Sequence, residues 1–262
     1  MNALTLSIAA ASGVLAFPLA HTLNVAAGLG PRSRLRAELR KRSRGKLALT
    51  YDDGPGVALQ PALLDLLARH RARATFYLLG ARIEAHPMEA AALVESGHEI
   101  GSHSMRHFDA SRRILPGHAR DLTRGADAVS RLGVATEAFR PPYGRVTWTG
   151  LRAARRLALR CDLWTVDSGD TWPDLPVADR CIDLVQREGG GVVLLHSHDR
   201  SDREDADRRR NFVLACTEAL LDHANRAGLE VVTMSELRGL THGKKISASA
   251  SSGIRIPTDQ AM

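Results

Sequence analysis

The feature that most constrains the fold of this chain is a repeated alternation of short apolar runs with longer segments of helical periodicity. The apolar runs have the length and composition of buried strands, and the longer segments place leucine and alanine on one helical face. The seven predicted strands are Leu47–Tyr51, Ala74–Leu79, His98–Ser102, Glu137–Arg140, Asp162–Val166, Gly191–Leu195 and Leu229–Thr233. Strands that alternate with helices pair in parallel, so the sequence predicts one α/β domain, a seven-stranded parallel β/α barrel. A doubly wound open sheet is the alternative.

The two ends of the chain lack this alternation. Ala3 to Ala20 is uncharged and mostly apolar, close to the ~20 residues that a membrane-spanning helix needs. We therefore expect a hydrophobic N-terminal anchor over residues 1–30, a basic linker over residues 31–46 and the main domain over residues 47–240. Residues 241–262 are rich in Ser and Ala and predict a disordered tail. An amphipathic N-terminal helix, loosely packed on the domain, is the alternative to the anchor.

Positive charge is concentrated in one segment. Residues 32–46 hold eight basic residues and one acid, and removing these from the totals of 36 and 29 leaves 28 of each in residues 47–262. Because the main domain is formally neutral, nucleic acid is not expected as a partner. The basic segment follows the apolar run, so the positive-inside rule predicts a membrane-anchored domain in the cytoplasm. Export to the periplasm or cell surface is the alternative, and the basic segment also suits contact with anionic lipid headgroups.

Polar side chains with catalytic chemistry follow five of the predicted strands. They occur in Asp52-Asp53, His103-Ser104-Met105-Arg106-His107, Arg140-Pro141-Pro142-Tyr143-Gly144, residues 167–172 and residues 196–199. The carboxyl ends of parallel strands in a β/α barrel meet at one rim, where the active sites of such barrels lie. The sequence therefore predicts that the five groups share one site.

Asp53, His103 and His107 are the candidate metal ligands. Two histidines four residues apart project from the same side of a helical turn, and with one carboxylate they form an open site for a divalent ion. Zinc, cobalt, nickel and iron(II) all suit these ligands. Successive side chains diverge in an extended chain, so Asp52 is left free to act as a base. Capping of the turn is the alternative role for Asp52.

Four of these segments, taken in order, resemble the motifs of the polysaccharide deacetylase family, carbohydrate esterase family 4. The matching segments are Thr50–Pro55, His103–His107, Arg140–Gly144 and Leu194–His196. The resemblance covers roughly residues 46–237. It implies a single catalytic domain, a distorted seven-stranded β/α barrel that removes N-linked acetyl groups from amino sugars with a divalent metal, usually zinc.

The resemblance also implies a role for each matching residue. Asp53, His103 and His107 would bind the metal, Asp52 would be the general base and His196 the general acid. These roles agree with the chemistry, because a metal-bound water becomes acidic enough to lose a proton to a carboxylate. An imidazolium can then protonate the departing amine near neutral pH.

Four further residues receive supporting roles from the resemblance. Arg140 would hold the base carboxylate in position, and the backbone N–H of Tyr143 would face the oxyanion. Leu194 and Trp172 would line the pocket for the acetyl methyl group.

The chain departs from the family pattern near its acid. The aspartate that orients the acid histidine is normally followed directly by tryptophan, whereas Asp170 and Trp172 are separated here by one residue. Asp167 is therefore a rival for the orienting role. His198 similarly competes with His196 for the role of acid.

The expected function is a membrane-anchored, metal-dependent deacetylase acting on an N-acetylated glycan or glycolipid. An amidase or deformylase acting on a different N-acyl sugar is one alternative. A catalytically silent glycan-binding protein is another, although binding alone needs no acid–base pair. The sequence carries no signal for the oligomeric state.

Overall fold

The computed structural model describes residues 3–110 and 116–239, with side chains described for residues 19–110 and 117–239. Over these residues, strands and helices alternate as predicted. The strands are β1 (Lys46–Gly54), β2 (Thr75–Leu78), β3 (Glu99–Ser102), β4 (Ala138–Phe139), β5 (Arg160–Cys161), β6 (Val166–Asp167), β7 (Gly191–His196) and β8 (Glu230–Val231). The helices are α1 (Ala3–Arg42), α2 (Gln60–Arg69), α3 (Gly80–Ala85), α4 (Pro87–Glu95), α5 (Pro116–Ser130), α6 (Trp148–Arg156), α7 (Asp179–Glu188), α8 (Ala206–Ala227) and α9 (Met234–Leu237).

The strands form one parallel sheet in the order β5-β4-β3-β2-β1-β7-β6, and β8 pairs with the first residues of β1. Among the described residues no pairing joins β5 to β6, so the sheet curls into a half-barrel that is open on that side. The predicted parallel β/α barrel is confirmed. The barrel is distorted because it stays open between β5 and β6.

The predicted strand Asp162–Val166 is wrong as a continuous element. β5 ends at Cys161 and β6 begins at Val166. Between them, the Leu163 carbonyl accepts a hydrogen bond of 3.1 Å from Arg140, and the Asp162 carboxylate accepts one of 2.7 Å from the Tyr77 hydroxyl. Because these groups bind side chains inside the barrel, the backbone leaves the sheet here and the barrel stays open.

Side-chain alternation along β1 separates two layers of the core. Leu47, Leu49 and Tyr51 pack in the cluster between the sheet and its helices, whereas Ala48 belongs to the cluster inside the barrel. Successive strand residues face opposite sides of a sheet, so Thr50 and Asp52 point to the inside with Ala48. The polar end of β1 is thereby placed beneath the rim of the barrel.

Helix α1 covers the open side of the barrel. Leu35 and Leu39 pack against the interior cluster, and the guanidinium carbon of Arg36 lies 5.6 Å from the ring centroid of Trp164. Arg40 forms an ion pair with Glu188 of α7. The segment predicted as a basic linker is thus helical through Arg42, because its leucines bury against the barrel while its arginines find partners at the surface.

The predicted ends of the chain fall largely outside this description. The tail, residues 241–262, lies wholly outside the described residues, and the anchor, residues 1–30, lies mostly outside the residues whose side chains are described. Residues 19–30, the part of the predicted anchor whose side chains are described, belong to α1. In this part of the helix, called its outer part below, Leu19 and Leu23 are exposed and Asn24 is buried. Within the described part of the chain, no helix has both the length and the apolar content to cross a membrane.

Candidate active site

Asp52 and Asp53 lie in the last residues of β1, at the rim where the carboxyl ends of the parallel strands meet. The β1–β2 register shifts between Asp52 and Gly54, and Asp53 has a φ of 65°. Such a positive φ is rare outside glycine, and at this bulge it turns the Asp53 side chain toward the rim instead of toward the helices. Both carboxylates therefore approach one imidazole. His103 Nε2 lies 3.4 Å from Asp53 Oδ1 and 3.8 Å from Asp52 Oδ2, so the expected divergence of the two side chains is overcome.

His103 and His107 lie in an irregular loop after β3, and the prediction that a helical turn brings them together is wrong. Ser104 and His107 have φ values of 69° and 57°, and these two left-handed residues fold the loop so that the imidazole centroids lie 5.0 Å apart. His107 Nε2 is 3.3 Å from Asp53 Oδ1. His103 Nδ1 lies 2.8 Å from the carbonyl oxygen of Arg140, which can only accept, so Nδ1 carries a proton and Nε2 is the nitrogen turned toward Asp53.

The side chains of Asp53, His103 and His107 fit a metal ion. One ligand atom from each lies within 4.8 Å of the others, and Asp53 Oδ1 is buried with no hydrogen-bond donor among the described residues. A buried carboxylate oxygen beside two imidazole nitrogens is an arrangement that suits a divalent cation. Burial raises the pKa of Asp53, but the three neighbouring histidines, His103 foremost, outweigh it and hold that pKa below its ordinary value. Burial lowers the pKa of His107, so both groups favour the deprotonated form that ligates metals.

Arg140 holds Asp52 from inside the barrel. Its guanidinium is fully buried, and Nη1 donates to Asp52 Oδ1 and to Thr50 Oγ1, both at 2.8 Å. The guanidinium carbon also lies 4.2 Å from the ring centroid of Tyr77. A buried charge pair of this kind fixes the direction of the carboxylate, while its second oxygen is turned toward His103.

His196 ends β7 on the other side of β1, with Asp52 as its partner in the β1–β7 register. Its Nδ1 lies 2.9 Å from Asp170 Oδ1, and its backbone N–H donates to Asp170 Oδ2. Burial lowers the pKa of His196, but the carboxylates, Asp170 above all, outweigh burial and raise it to about 9. At neutral pH His196 is therefore a protonated imidazole at the rim of the barrel.

Asp170 orients His196, and the alternative assignment of that role to Asp167 is wrong. The Asp167 carboxylate instead accepts the backbone N–H of Gly169 at 2.9 Å, within its own turn. The difference follows from exposure and position: Asp170 is buried, with Ser168 donating to it, whereas Asp167 is a half-buried strand residue. The one-residue insertion before Trp172 thus leaves the aspartate–histidine pair intact.

The three predicted substrate-binding residues have different environments. Tyr143 is exposed, has a φ of 57° and sets its ring edge-on to His107 at 4.5 Å between centroids. Trp172 is partly exposed and lies over Arg180, 4.6 Å from the guanidinium carbon to the ring centroid. Leu194 is buried in the cluster inside the barrel, in register with Thr50. Positive φ at Asp53, His107 and Tyr143 concentrates backbone strain at this rim, as is common for functional sites.

Three supporting residues were not predicted from the sequence. Thr50 and Tyr77 contact Arg140, and Arg209 of α8 is buried and donates to the backbone carbonyls of the Asp170–Pro173 loop. Arg209 belongs to a run of mixed charge that is typical of a solvated surface. Thr50 could have been found from its place two residues before Asp52 on the same strand face, but Tyr77 and Arg209 have no local signal.

Comparisons with known proteins agree with this geometry. The model of the polysaccharide deacetylase family matches residues 40–161. The chain is 30% identical over 199 residues to a peptidoglycan-N-acetylglucosamine deacetylase of Bacillus cereus, covering 75% of this chain and 89% of the relative. It is 32% identical over 198 residues to a chitooligosaccharide deacetylase of Bradyrhizobium, covering 72% and 89%.

Other relatives are longer proteins, and the chain spans 39% of the peptidoglycan-N-acetylglucosamine deacetylase PgdA of Listeria monocytogenes. The solved structure of a peptidoglycan N-acetylglucosamine deacetylase superposes with a TM-score of 0.68 at 25% identity, covering 77% of this chain and 91% of that one. The motifs, the open barrel and these similarities together show that the chain belongs to the polysaccharide deacetylase family, carbohydrate esterase family 4.

Proposed function

We propose that the protein is a metal-dependent hydrolase that removes N-acetyl groups from amino sugars of a glycan or glycolipid, with Asp52 as base and His196 as acid. Its family supports the reaction class. The observation that carries the proposal is a single rim with three complementary parts: a metal-type ligand set, a carboxylate fixed by Arg140 and a histidine fixed by Asp170. Because the base and the acid are held by separate partners, the base can serve the attack of water on the carbonyl and the acid can serve the departure of the amine.

The first half of the reaction needs a nucleophile and a polarised carbonyl. Asp53, His103 and His107 would hold a divalent ion, which would supply Lewis acidity to polarise the acetyl carbonyl and to make water more acidic. Asp52 takes the proton of the attacking water through the oxygen that Arg140 leaves free. Tyr143, whose ring packs against His107 and whose backbone is left-handed, would turn its N–H toward the developing oxyanion.

The second half of the reaction needs a proton for the amine that leaves. His196 is protonated at neutral pH because Asp170 raises its pKa, against the effect of burial. It gives the Nε2 proton to the sugar nitrogen as the carbon–nitrogen bond breaks, and acetate and the free amine result. Trp172 and the inner-wall residue Leu194 bound the space for the acetyl methyl group. Arg140 and Asp170 are positioning residues in this scheme.

The metal and the sugar are the finer parts of the proposal. Zinc is the ion we propose, since two imidazoles and a carboxylate leave coordination positions open, and cobalt, nickel and iron(II) suit the same ligands. Because the similar proteins are named as deacetylases of peptidoglycan and chitooligosaccharide, we propose an N-acetylglucosamine-type sugar as the reacting unit. A glycan-binding protein without catalytic activity would not need both the base Asp52, held by Arg140, and the acid His196, held by Asp170.

Acetate release across a panel of chitooligosaccharides, peptidoglycan fragments and N-acetylated glycolipids, with and without chelator, tests the proposal. We expect acetate from at least one class, loss of activity with chelator and recovery with added zinc. Formylated acceptors processed faster than acetylated ones would instead favour the deformylase alternative. Absence of acetate from every metal-loaded reaction would contradict the proposed function.

We also propose that the N-terminal segment attaches the protein to a membrane and leaves the domain in the cytoplasm. The support is the uncharged run Ala3 to Ala20, followed by the basic residues from Arg32 onward. A reporter fused after Met262 tests the orientation. Activity of a cytoplasmic reporter supports it, and activity restricted to the outside of the cell supports export instead.

A further inference from the structure

The direction of α1 brings its N-terminal part to the face of the barrel that holds the active site. α1 ends at Arg42, next to the start of β1, and therefore runs antiparallel to the strand. Toward the N-terminal end of α1, Asn24 accepts a hydrogen bond of 3.0 Å from the backbone N–H of Thr149. Gly28 lies so close to Val146 that a Cβ would overlap its carbonyl oxygen. Because Val146 and Thr149 follow the carboxyl end of β4, α1 leaves the domain at the catalytic rim.

The same face carries most of the exposed hydrophobic side chains. Of the nine large hydrophobic residues exposed among the described side chains, Tyr143 and Trp172 belong to the candidate site and Met88 lies on α4. The remaining six lie on the outer part of α1, in loops after the carboxyl ends of strands or at the start of α6: Leu19, Leu23, Leu29, Val57, Val177 and Trp148. Exposed apolar residues gathered on one face of a protein mark an interaction surface.

The sequence of α1 indicates what covers this surface. Ala3 to Ala20 contains no charged residue, and Ala20 precedes the rim contact at Asn24 by only four residues, roughly 6 Å of helix. The arginines of α1 begin at Arg32 and continue down the side of the barrel, where Arg36 and Arg40 contact the domain. The uncharged segment thus continues directly into the exposed apolar face, and tryptophan is enriched where proteins meet the membrane interface.

We propose that the active-site face of the barrel lies against a lipid bilayer that the N-terminal part of α1 enters, and that the substrate is an N-acetylated sugar headgroup displayed by that bilayer. The orientation rests on the geometry of α1 and its neighbours. The statement about substrate also rests on the proposed deacetylase function. A rim held beside the headgroup layer reaches the first sugars of a lipid-linked glycan, whereas distant sugars of a long polymer lie out of reach.

The three tryptophans allow the orientation to be tested without any enzyme assay. In the full-length protein with Trp164→Phe and Trp172→Phe, Trp148 is the only tryptophan, and its fluorescence is excited selectively over that of the tyrosines. We expect phosphatidylcholine vesicles with brominated acyl chains to quench it, relative to unbrominated vesicles. The matched control replaces all three tryptophans by Phe and adds Glu95→Trp at an exposed position just before the start of β3, on the opposite end of the barrel. That probe should keep its fluorescence.

Equal quenching of both probes, no quenching of Trp148 in vesicle-bound protein, or failure of the protein to bind vesicles would each overturn the orientation. A kinetic comparison then tests the substrate. Trp148→Asp should lower kcat/KM about tenfold for an N-acetylglucosaminyl lipid in the same vesicle, and leave the rate on a soluble chitooligosaccharide unchanged. Trp148→Phe should restore the vesicle rate.

An equal loss of rate on both substrates, or on neither, would overturn the statement about membrane-borne substrate. If the wild-type protein releases acetate from neither substrate while Trp148 is still quenched, the deacetylase proposal fails and the membrane orientation stands. The fluorescence and acetate measurements therefore separate the two proposals.

Discussion

At the scale of single residues, the site depends on two neighbouring carboxylates that have different partners. Asp53 has an unpaired, buried oxygen facing two imidazoles, whereas Asp52 shares an ion pair of 2.8 Å with a fully buried arginine. The unpaired oxygen suits a cation and the paired carboxylate suits proton transfer. A left-handed backbone at Asp53 makes this division possible in consecutive residues.

Asp52→Asn is expected to lower kcat by about 10²–10⁴-fold, the usual contribution of a positioned base, because an amide cannot accept the proton. Bound metal should remain at the wild-type level, since Asp52 is not in the ligand set. His103→Ala should reduce bound metal itself. Metal analysis beside acetate release checks both, and a fully active Asp52→Asn protein would remove Asp52 from the mechanism.

Asp170→Asn is expected to move the alkaline limb of the pH–rate profile to lower pH. In the wild type, the Asp170 carboxylate overcomes the effect of burial and raises the pKa of His196 to about 9, so the acid is protonated below that pH and lost above it. Removing the carboxylate lowers this pKa by about 1–3 units. Asp167→Asn is the matched control and should leave the limb in place, because the Asp167 carboxylate accepts the Gly169 N–H within its own turn. If the alkaline limb of the pH–rate profile moved only in Asp167→Asn, Asp167 and not Asp170 would be the carboxylate that acts on His196.

At the scale of elements, α8 holds the loop that carries Asp170. Arg209 is only 2% exposed and donates to the carbonyls of Asp170, Trp172 and Pro173 at 2.8, 2.9 and 3.1 Å. Its Nε pairs with Asp205 at 2.7 Å. An arginine from the mixed-charge run at the start of α8 thus fixes the conformation of the loop that carries Asp170.

Arg209→Met is expected to lower the free energy of unfolding by about 3 kcal/mol, because three carbonyls and a carboxylate lose a charged donor. The loop should also loosen, which lowers kcat/KM. Arg208→Met, at the adjacent exposed position, should change stability by no more than about 0.5 kcal/mol. Chemical denaturation of the three proteins measures the difference, and equal stability of both variants would show that the Arg209 hydrogen bonds contribute little.

At the scale of the whole molecule, α1 completes a barrel that its own strands leave open. The apolar side of the helix packs on the interior cluster, and close approach at Gly28 allows its backbone to reach the loop after β4. Because α1 precedes β1 and closes the barrel, it connects the N-terminal segment directly to the face that holds the candidate site.

Gly28→Ala is expected to lower Tm, because the added methyl group overlaps the Val146 carbonyl and costs about 1–3 kcal/mol of overpacking. Gly30→Ala is the matched control. It has open space around its Cβ position and should raise stability by up to about 1 kcal/mol through helix propensity. Thermal unfolding checks the pair, and a stabilised Gly28→Ala protein would mean that α1 is not closely packed on the barrel.

The sequence by itself determined the parallel β/α architecture, because strand and helix periodicities are local. It also singled out the candidate metal-binding and acid–base residues, because they follow strands whose ends share one rim and match the motifs of a known family. Tertiary structure alone decided the rest. The backbone turn at Asp53, the choice of Asp170 over Asp167, the burial of Arg209 and the closure of the barrel by α1 each depend on contacts between residues far apart in the chain. Such contacts leave no periodic pattern in the sequence, since the energy that selects them arises only when the elements pack.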